Sequence, residues 1–218
     1  MTVAARTAGA LALGALSLCA ISPEARAGEW KPPQPYLLPV INVSLLAVDG
    51  QTTAQAAAGL VGGLRTRYVG SPNLLSNTRA SAVGMYGLGS GSLGGDFRVG
   101  EFIGPQGKFL LYQVGPDVWF NGYGDPDAVD YWLPWSPGVD LHNSLTFTPI
   151  RELSIIGEAT PGWAFASERQ TGGIGPFHEL TLTGMVVIRA SAIRLTVGYT
   201  RQYRSYGASN GIILSGAL

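Results

Sequence analysis

The sequence predicts an all-β fold: a closed, antiparallel, up-and-down transmembrane β-barrel of about ten strands, with eight as the alternative count. Three observations lead there. Extended segments with period-two alternation succeed one another from residue 40 onward, no amphipathic helix of useful length interrupts them, and only 13% of residues are charged. A soluble surface is usually about a quarter to a third charged. So low a charge requires either a large hidden core or an exterior that does not meet water. Glycine, at 31 of 218 residues, also argues against helices.

Taken in order, residues 1–27 read as a signal peptide. Arg6 supplies a positive start, and Ala8 to Ile21 is an uncharged run of fourteen residues, too short to cross a bilayer. Ala25-Arg26-Ala27 fits a small-x-small cleavage site, which makes Gly28 the first mature residue. A lipoprotein anchor at Cys19 is the rival, but it wants a small residue ahead of the cysteine and Leu18 stands there. Residues 28–39 are a proline-rich segment, and 40–218 form the barrel domain. Cys19 is the single cysteine, so the exported chain holds no disulfide although its compartment would permit one. Beyond residue 27, twelve Lys or Arg face thirteen Asp or Glu, with lysine only at 31 and 108. That balance excludes a basic nucleic-acid footprint.

The ten segments run approximately over 40–48, 54–69, 79–90, 96–103, 108–115, 139–148, 152–159, 177–189, 192–202 and 210–218. Proline cannot donate to a sheet ladder, and each proline beyond residue 27 is expected between these segments or just ahead of the first. In the second segment Ala56, Ala58, Leu60, Leu64 and Tyr68 share a face opposed by Gln55, Arg65 and Arg67. In the eighth, Leu180, Leu182, Val186 and Ile188 oppose Thr181, Thr183 and Arg189; in the ninth, Ile193, Leu195, Val197 and Tyr199 oppose Arg194, Thr196, Thr200 and Gln202. The fifth segment is apolar on both faces. Connections after segments four, six and eight are tight, whereas those after five (116–138) and seven (160–176) are long. Short turns at one end and long loops at the other describe an outer-membrane barrel. In hydrocarbon every backbone N–H and C=O must be paired internally, which only a helix or a closed barrel achieves. A soluble secreted β-barrel binding module shows the same alternation with its apolar faces turned inward.

With its signal peptide, amphipathic segments and terminal strand GIILSGAL, the chain resembles the small bacterial outer-membrane β-barrel proteins as a class. It departs from them in ending on Leu218 rather than an aromatic residue. The resemblance implies an outer-membrane location, contact with outer-membrane lipid, and insertion by the barrel-assembly machinery.

If the apolar face meets lipid, then Asp140, His142, Ser144 and Glu158 point into the lumen. A serine, a histidine and a carboxylate in mutual reach can form nucleophile, base and orienter, and the HNS triplet resembles the His-x-Ser pair of barrel-type lipid A deacylases. A barrel-type lipid hydrolase is therefore one alternative. The blander expectation is a lumen filled by side chains that pair with one another. Glu152, Arg189, Arg194, Arg65 and Arg67 are expected to form a lumenal charge cluster, with Asp96 and Arg98 as further members. The connection 116–138 concentrates Asp117, Asp125, Asp127 and Asp130 with Trp119, Trp132 and Trp135. The acids at 125, 127 and 130 could hold Ca²⁺, although the EF-hand glycine and terminal glutamate are missing. The tryptophans read as surface-loop aromatics able to meet an extracellular ligand, or as an interfacial girdle. Glycine-rich 87–95 lacks the Gly-Lys-Ser/Thr of a phosphate cradle and reads as a turn. No cofactor motif is present. The expected function is a non-catalytic outer-membrane barrel, structural or mediating surface interactions, with a narrow or plugged lumen.

Overall fold

The computed structural model describes residues 28–48, 51–70, 72–124, 133–165, 176–191, 193–204 and 207–217. Among these described residues eleven strands follow in chain order: β1 (Glu29–Trp30), β2 (Gln34–Val48), β3 (Gln51–Val69), β4 (Leu74–Gly87), β5 (Leu93–Pro105), β6 (Leu110–Tyr123), β7 (Leu133–Ile150), β8 (Leu153–Ala164), β9 (Phe177–Ala190), β10 (Ile193–Arg204) and β11 (Gly207–Ala217). From β2 to β11 each strand pairs antiparallel with the next, and β11 pairs with β2, so ten strands close a barrel. The dipeptide β1 extends the line of β2 along β3, separated from it by Lys31 and the Pro32-Pro33 pair that cannot donate to a ladder.

Each of the ten segments read from the sequence is one of these strands, but most strands run further. β2 begins at Gln34, inside the proline-rich segment assigned to 28–39. The expectation that proline stays outside strands fails at Pro35, Pro39, Pro105, Pro116, Pro134, Pro137, Pro149 and Pro161. The reason is local, since a proline removes one donor toward one neighbour. At Pro116 the β5–β6 register lapses between Gly100/Asp117 and Ile103/Val114. At Pro161 the β7–β8 register lapses between Asp140/Gly162 and Asn143/Ala159. Closure elsewhere in the ladder carries the strand through.

Sidedness follows the low charge. Leu182, Leu195 and Leu145 stand outward at 39%, 54% and 50% exposure, while Ser144 and Thr196 point inward at 8% and 9%. A soluble barrel would show the reverse. Burial of apolar surface is what drives folding in water, and here the large apolar side chains ring the outside, where only hydrocarbon can cover them. Aromatic side chains gather near both rims. Phe120 and Trp135 pack at 5.4 Å between centroids, Trp163 meets His178, and Trp30 meets Tyr68 at the opposite end. Such girdles mark membrane–water interfaces. Among the described residues two charges interrupt the outer face: Arg201, lying 4.9 Å over the Tyr203 ring near a rim, and Glu101, between Val99 and Ile103 on β5.

Short turns join β3–β4, β5–β6, β7–β8 and β9–β10 at the end where Gly28 and Ala217 lie. Ser191 there takes the left-handed conformation (φ 56°) that closes the β9–β10 turn. The other end carries the longer connections 124–132 and 165–176. The β6–β7 connection is much shorter than the expected 116–138, because β6 continues through Tyr123 and β7 starts at Leu133.

Candidate functional site

The lumen divides into two storeys, and cross-strand register builds the one nearer the long connections. One register row runs Gly100–Asp117–Asp140–Gly162–Glu179–Arg204 across β5 to β10. Glycines at 100 and 162 leave room for the acids between them. Arg98, one inward step further along β5, reaches into this row. Its Nε donates to Asp96 at 2.9 Å and its Nη1 to Asp140 at 3.1 Å, with Asp117 at 3.5 Å. Arg79 stands 4.0 Å from Asp117, and Arg204 pairs with Glu179 at 3.3 Å. Asp117 is only 1% exposed. A carboxylate so buried is tolerable only against opposite charge.

The next row, Arg98–Trp119–Gly138–Ala164–Phe177, sets bulky Trp119 and Phe177 on either side of Gly138 and Ala164. Trp119 lies over Gly138, where an added Cβ would overlap the indole. Trp119, Ala164 and Phe177 form a buried apolar cluster, and Tyr123 beyond them is also fully buried. Trp119 is therefore an interior side chain and not the surface-loop aromatic expected from the sequence. Asp117 likewise belongs to the lumen. Trp135 is aromatic on the outer face of β7, and Trp132, Asp125, Asp127 and Asp130 lie outside the described residues. Among the described residues no group of three His, Cys, Asp or Glu side chains could hold a metal ion.

Between the storeys sits the expected His142, Ser144 and Glu158 trio, all inward. Register sets Glu158 opposite Ser144 rather than opposite His142. His142 contacts Thr160 through Nδ1 at 3.5 Å, and its Nε2 is 3.9 Å from Glu158. The Phe102 ring packs against the imidazole at 4.9 Å. No hydrogen bond among the described residues joins Ser144 to His142. The pair that nucleophilic catalysis needs, hydroxyl to base, is not made.

The storey nearer the short turns is open. A cavity of about 1080 Å³ reaches from Phe102, His142 and Glu158 out to Lys31 and Lys108 at the mouth. The expected basic residues Arg65, Arg67, Arg189 and Arg194 all line it. Their expected partner Glu152 does not, for it is exposed in the β7–β8 turn, and only its backbone carbonyl accepts from the Arg189 N–H at 2.8 Å. Arg189 instead donates through Nη1 to Ser154 at 2.8 Å, and Arg65 lies 4.5 Å over the Tyr36 ring. The predicted cluster thus exists as cations without their acid. Of the acid–base layer, the sequence offers Asp96, Arg98 and Asp140 as inward residues but not Asp117, which falls within the expected connection 116–138. Counting by twos through Pro116 puts Asp117 on the same inward face as Gln113; its place opposite Asp140 comes from the strand register.

No family model matches the chain, and no curated protein does. Solved structures with a similar course include the translocator domain of the autotransporter NalP from Neisseria meningitidis, 9% identical over 98% of this chain and 95% of that one, with a TM-score of 0.36. The beta domain of the Bordetella autotransporter BrkA is 10% identical over 86% and 99%, with a TM-score of 0.41. A loop L8 deletion mutant of OmpT, an outer membrane protein of Vibrio cholerae, is 6% identical over 86% and 99%, with a TM-score of 0.39. Likeness at this level transfers no residue role.

Proposed function

We propose that the chain is an integral outer-membrane barrel, exported through residues 1–27, that performs no chemistry and whose lumen is closed toward the long connections. The observation that carries this reading is the layer of Arg98 with Asp96, Asp117 and Asp140, capped by Trp119 and Phe177. Barrels of about eight strands have lumens filled by side chains, and aqueous channels come with about sixteen. Ten strands with this filling leave no through-passage. The apolar outer face supports contact with membrane lipid, and the closed meander fits insertion by an assembly machinery that handles such barrels. An extracellular ligand, expected from the sequence at 116–138, would then meet the end of the barrel that carries the longer connections, which gives the protein a structural or surface-interaction role.

The test is electrical. Purified protein in planar bilayers should give no large, steady unitary conductance, and a stable open channel of porin size would refute the closed lumen. The lipid-hydrolase alternative is disfavoured by the missing bond between His142 and Ser144. It would return if the protein cleaved an acyl lipid and His142→Ala abolished the cleavage without unfolding the barrel.

A further inference from the structure

The chain carries no net charge, yet its lumen is sharply divided. The described carboxylates that face inward are taken up by Arg98, Arg79 and Arg204 in the closed storey, save Glu158 beside His142. The open storey keeps Arg65, Arg67, Lys108, Arg189 and Arg194 against Glu158 alone. No described carboxylate lies within 4.0 Å of Arg65, Arg67, Arg189 or Arg194. Arg189 and Arg194 are, moreover, direct cross-strand partners. Like charges so placed repel, which disfavours the pairing unless something negative sits between them.

We propose that this cavity binds a small soluble organic anion carrying two or more oxyanion groups, admitted from the end where Gly28 and Ala217 lie. Guanidinium groups present several donors in a fixed fork that matches carboxylate or phosphate oxygens. A low-dielectric wall focuses the field of clustered charge on whatever enters. The wall also supplies apolar contact through Leu38, Val61, Ile156 and Met185, which suits a ligand with a hydrocarbon or ring body. The volume, about 1080 Å³, is that of a generous small-molecule site. A nucleic-acid strand needs a groove it can leave, and this chamber ends blind against the Arg98 layer. Lipid headgroups of the surrounding bilayer are walled off by an unbroken circuit of paired strands. Only the blind end rests on the closed-lumen reading. If that reading fails in planar bilayers, the binding measurement still stands or falls by itself.

The experiment is calorimetric titration of protein purified from membranes in a non-ionic detergent, with trimesate, a benzene ring bearing three carboxylates, as probe. Saturable one-to-one binding that weakens with added salt is expected. Two double variants, Arg189→Gln/Arg194→Gln within the chamber and Arg65→Gln/Arg67→Gln near its mouth, should each bind about tenfold more weakly or worse. Heat-modifiable gel mobility shows that each has folded, and the second pair, exposed in the wild type, keeps the test available if the first does not fold. Absence of saturable binding by the wild type overturns the proposal, and so does equal binding by whichever double variants fold. Citrate, similar in charge but without the ring, should bind less tightly, and equal affinity would remove the apolar wall from the site.

Discussion

The two storeys of this lumen are made from the same strands and the same alternation, yet one is lined by paired charges and buried aromatic side chains and the other surrounds a cavity of about 1080 Å³. Above the level of His142, inward positions pair acid with Arg98 or Arg204 and set Trp119 across from Gly138. Below it, inward positions offer Arg189 opposite Arg194, with no described carboxylate within 4.0 Å of either. The difference teaches that a barrel's strand number sets only the width of the lumen. Whether it is blocked depends on register: which side chains stand in one row, and whether bulk meets glycine and charge meets counter-charge.

That contrast can be broken by experiment. The largest effect is expected from Arg98→Met, which leaves Asp96, Asp117 and Asp140 without their common partner. Removing one member of a buried charge set costs about 3–5 kcal/mol. The urea midpoint of the folded barrel in detergent, followed by tryptophan fluorescence, should fall accordingly; an unmoved midpoint would mean the closed storey is not held by charge. Next comes the outside shared by both storeys. Leu182→Arg, midway along β9, should cost about 2–4 kcal/mol in a lipid bilayer. A negligible loss there would place the outer face of β9 away from hydrocarbon. The smallest effect is expected from Arg194→Met in the open storey. Relieving repulsion without orphaning a carboxylate should leave stability within about 1 kcal/mol of wild type, or raise it. A loss as large as that of Arg98→Met would show a structural partner for Arg194 and erase the distinction.

Much of the fold was legible because period two survives whichever side faces lipid, and low charge with two lysines chose the side. Leu145, Leu182 and Leu195 stand outward as that reading requires. Strand ends were not legible. Pro116 reads as a stop when each proline is weighed alone, but in a closed sheet the strand is held from both flanks, and the β5–β6 ladder simply skips a step. Trp119 and Asp117 were misassigned with it. The ion layer was hidden for a different reason: the row Gly100–Asp117–Asp140 joins three strands, and its members are neighbours only once register is fixed. Glu152 looked like a partner for Arg189 because it is near the same rim, yet a turn residue has no fixed inward direction. His142, Ser144 and Glu158 were correctly placed inside, but their sequence spacing could not say that His142 meets Thr160 rather than Ser144.

The seam at which β11 meets β2 has a consequence for assembly. Ile41 is held against Gly216 and Val48 against Ser209, so the cylinder is completed only when the outermost strands of the meander find each other. Until then both carry a free row of backbone donors and acceptors, which invites pairing with another chain. A nascent polypeptide stopped short of Gly207 would retain nine of the ten barrel strands and two sticky borders, and its hazard is aggregation rather than a smaller working cylinder.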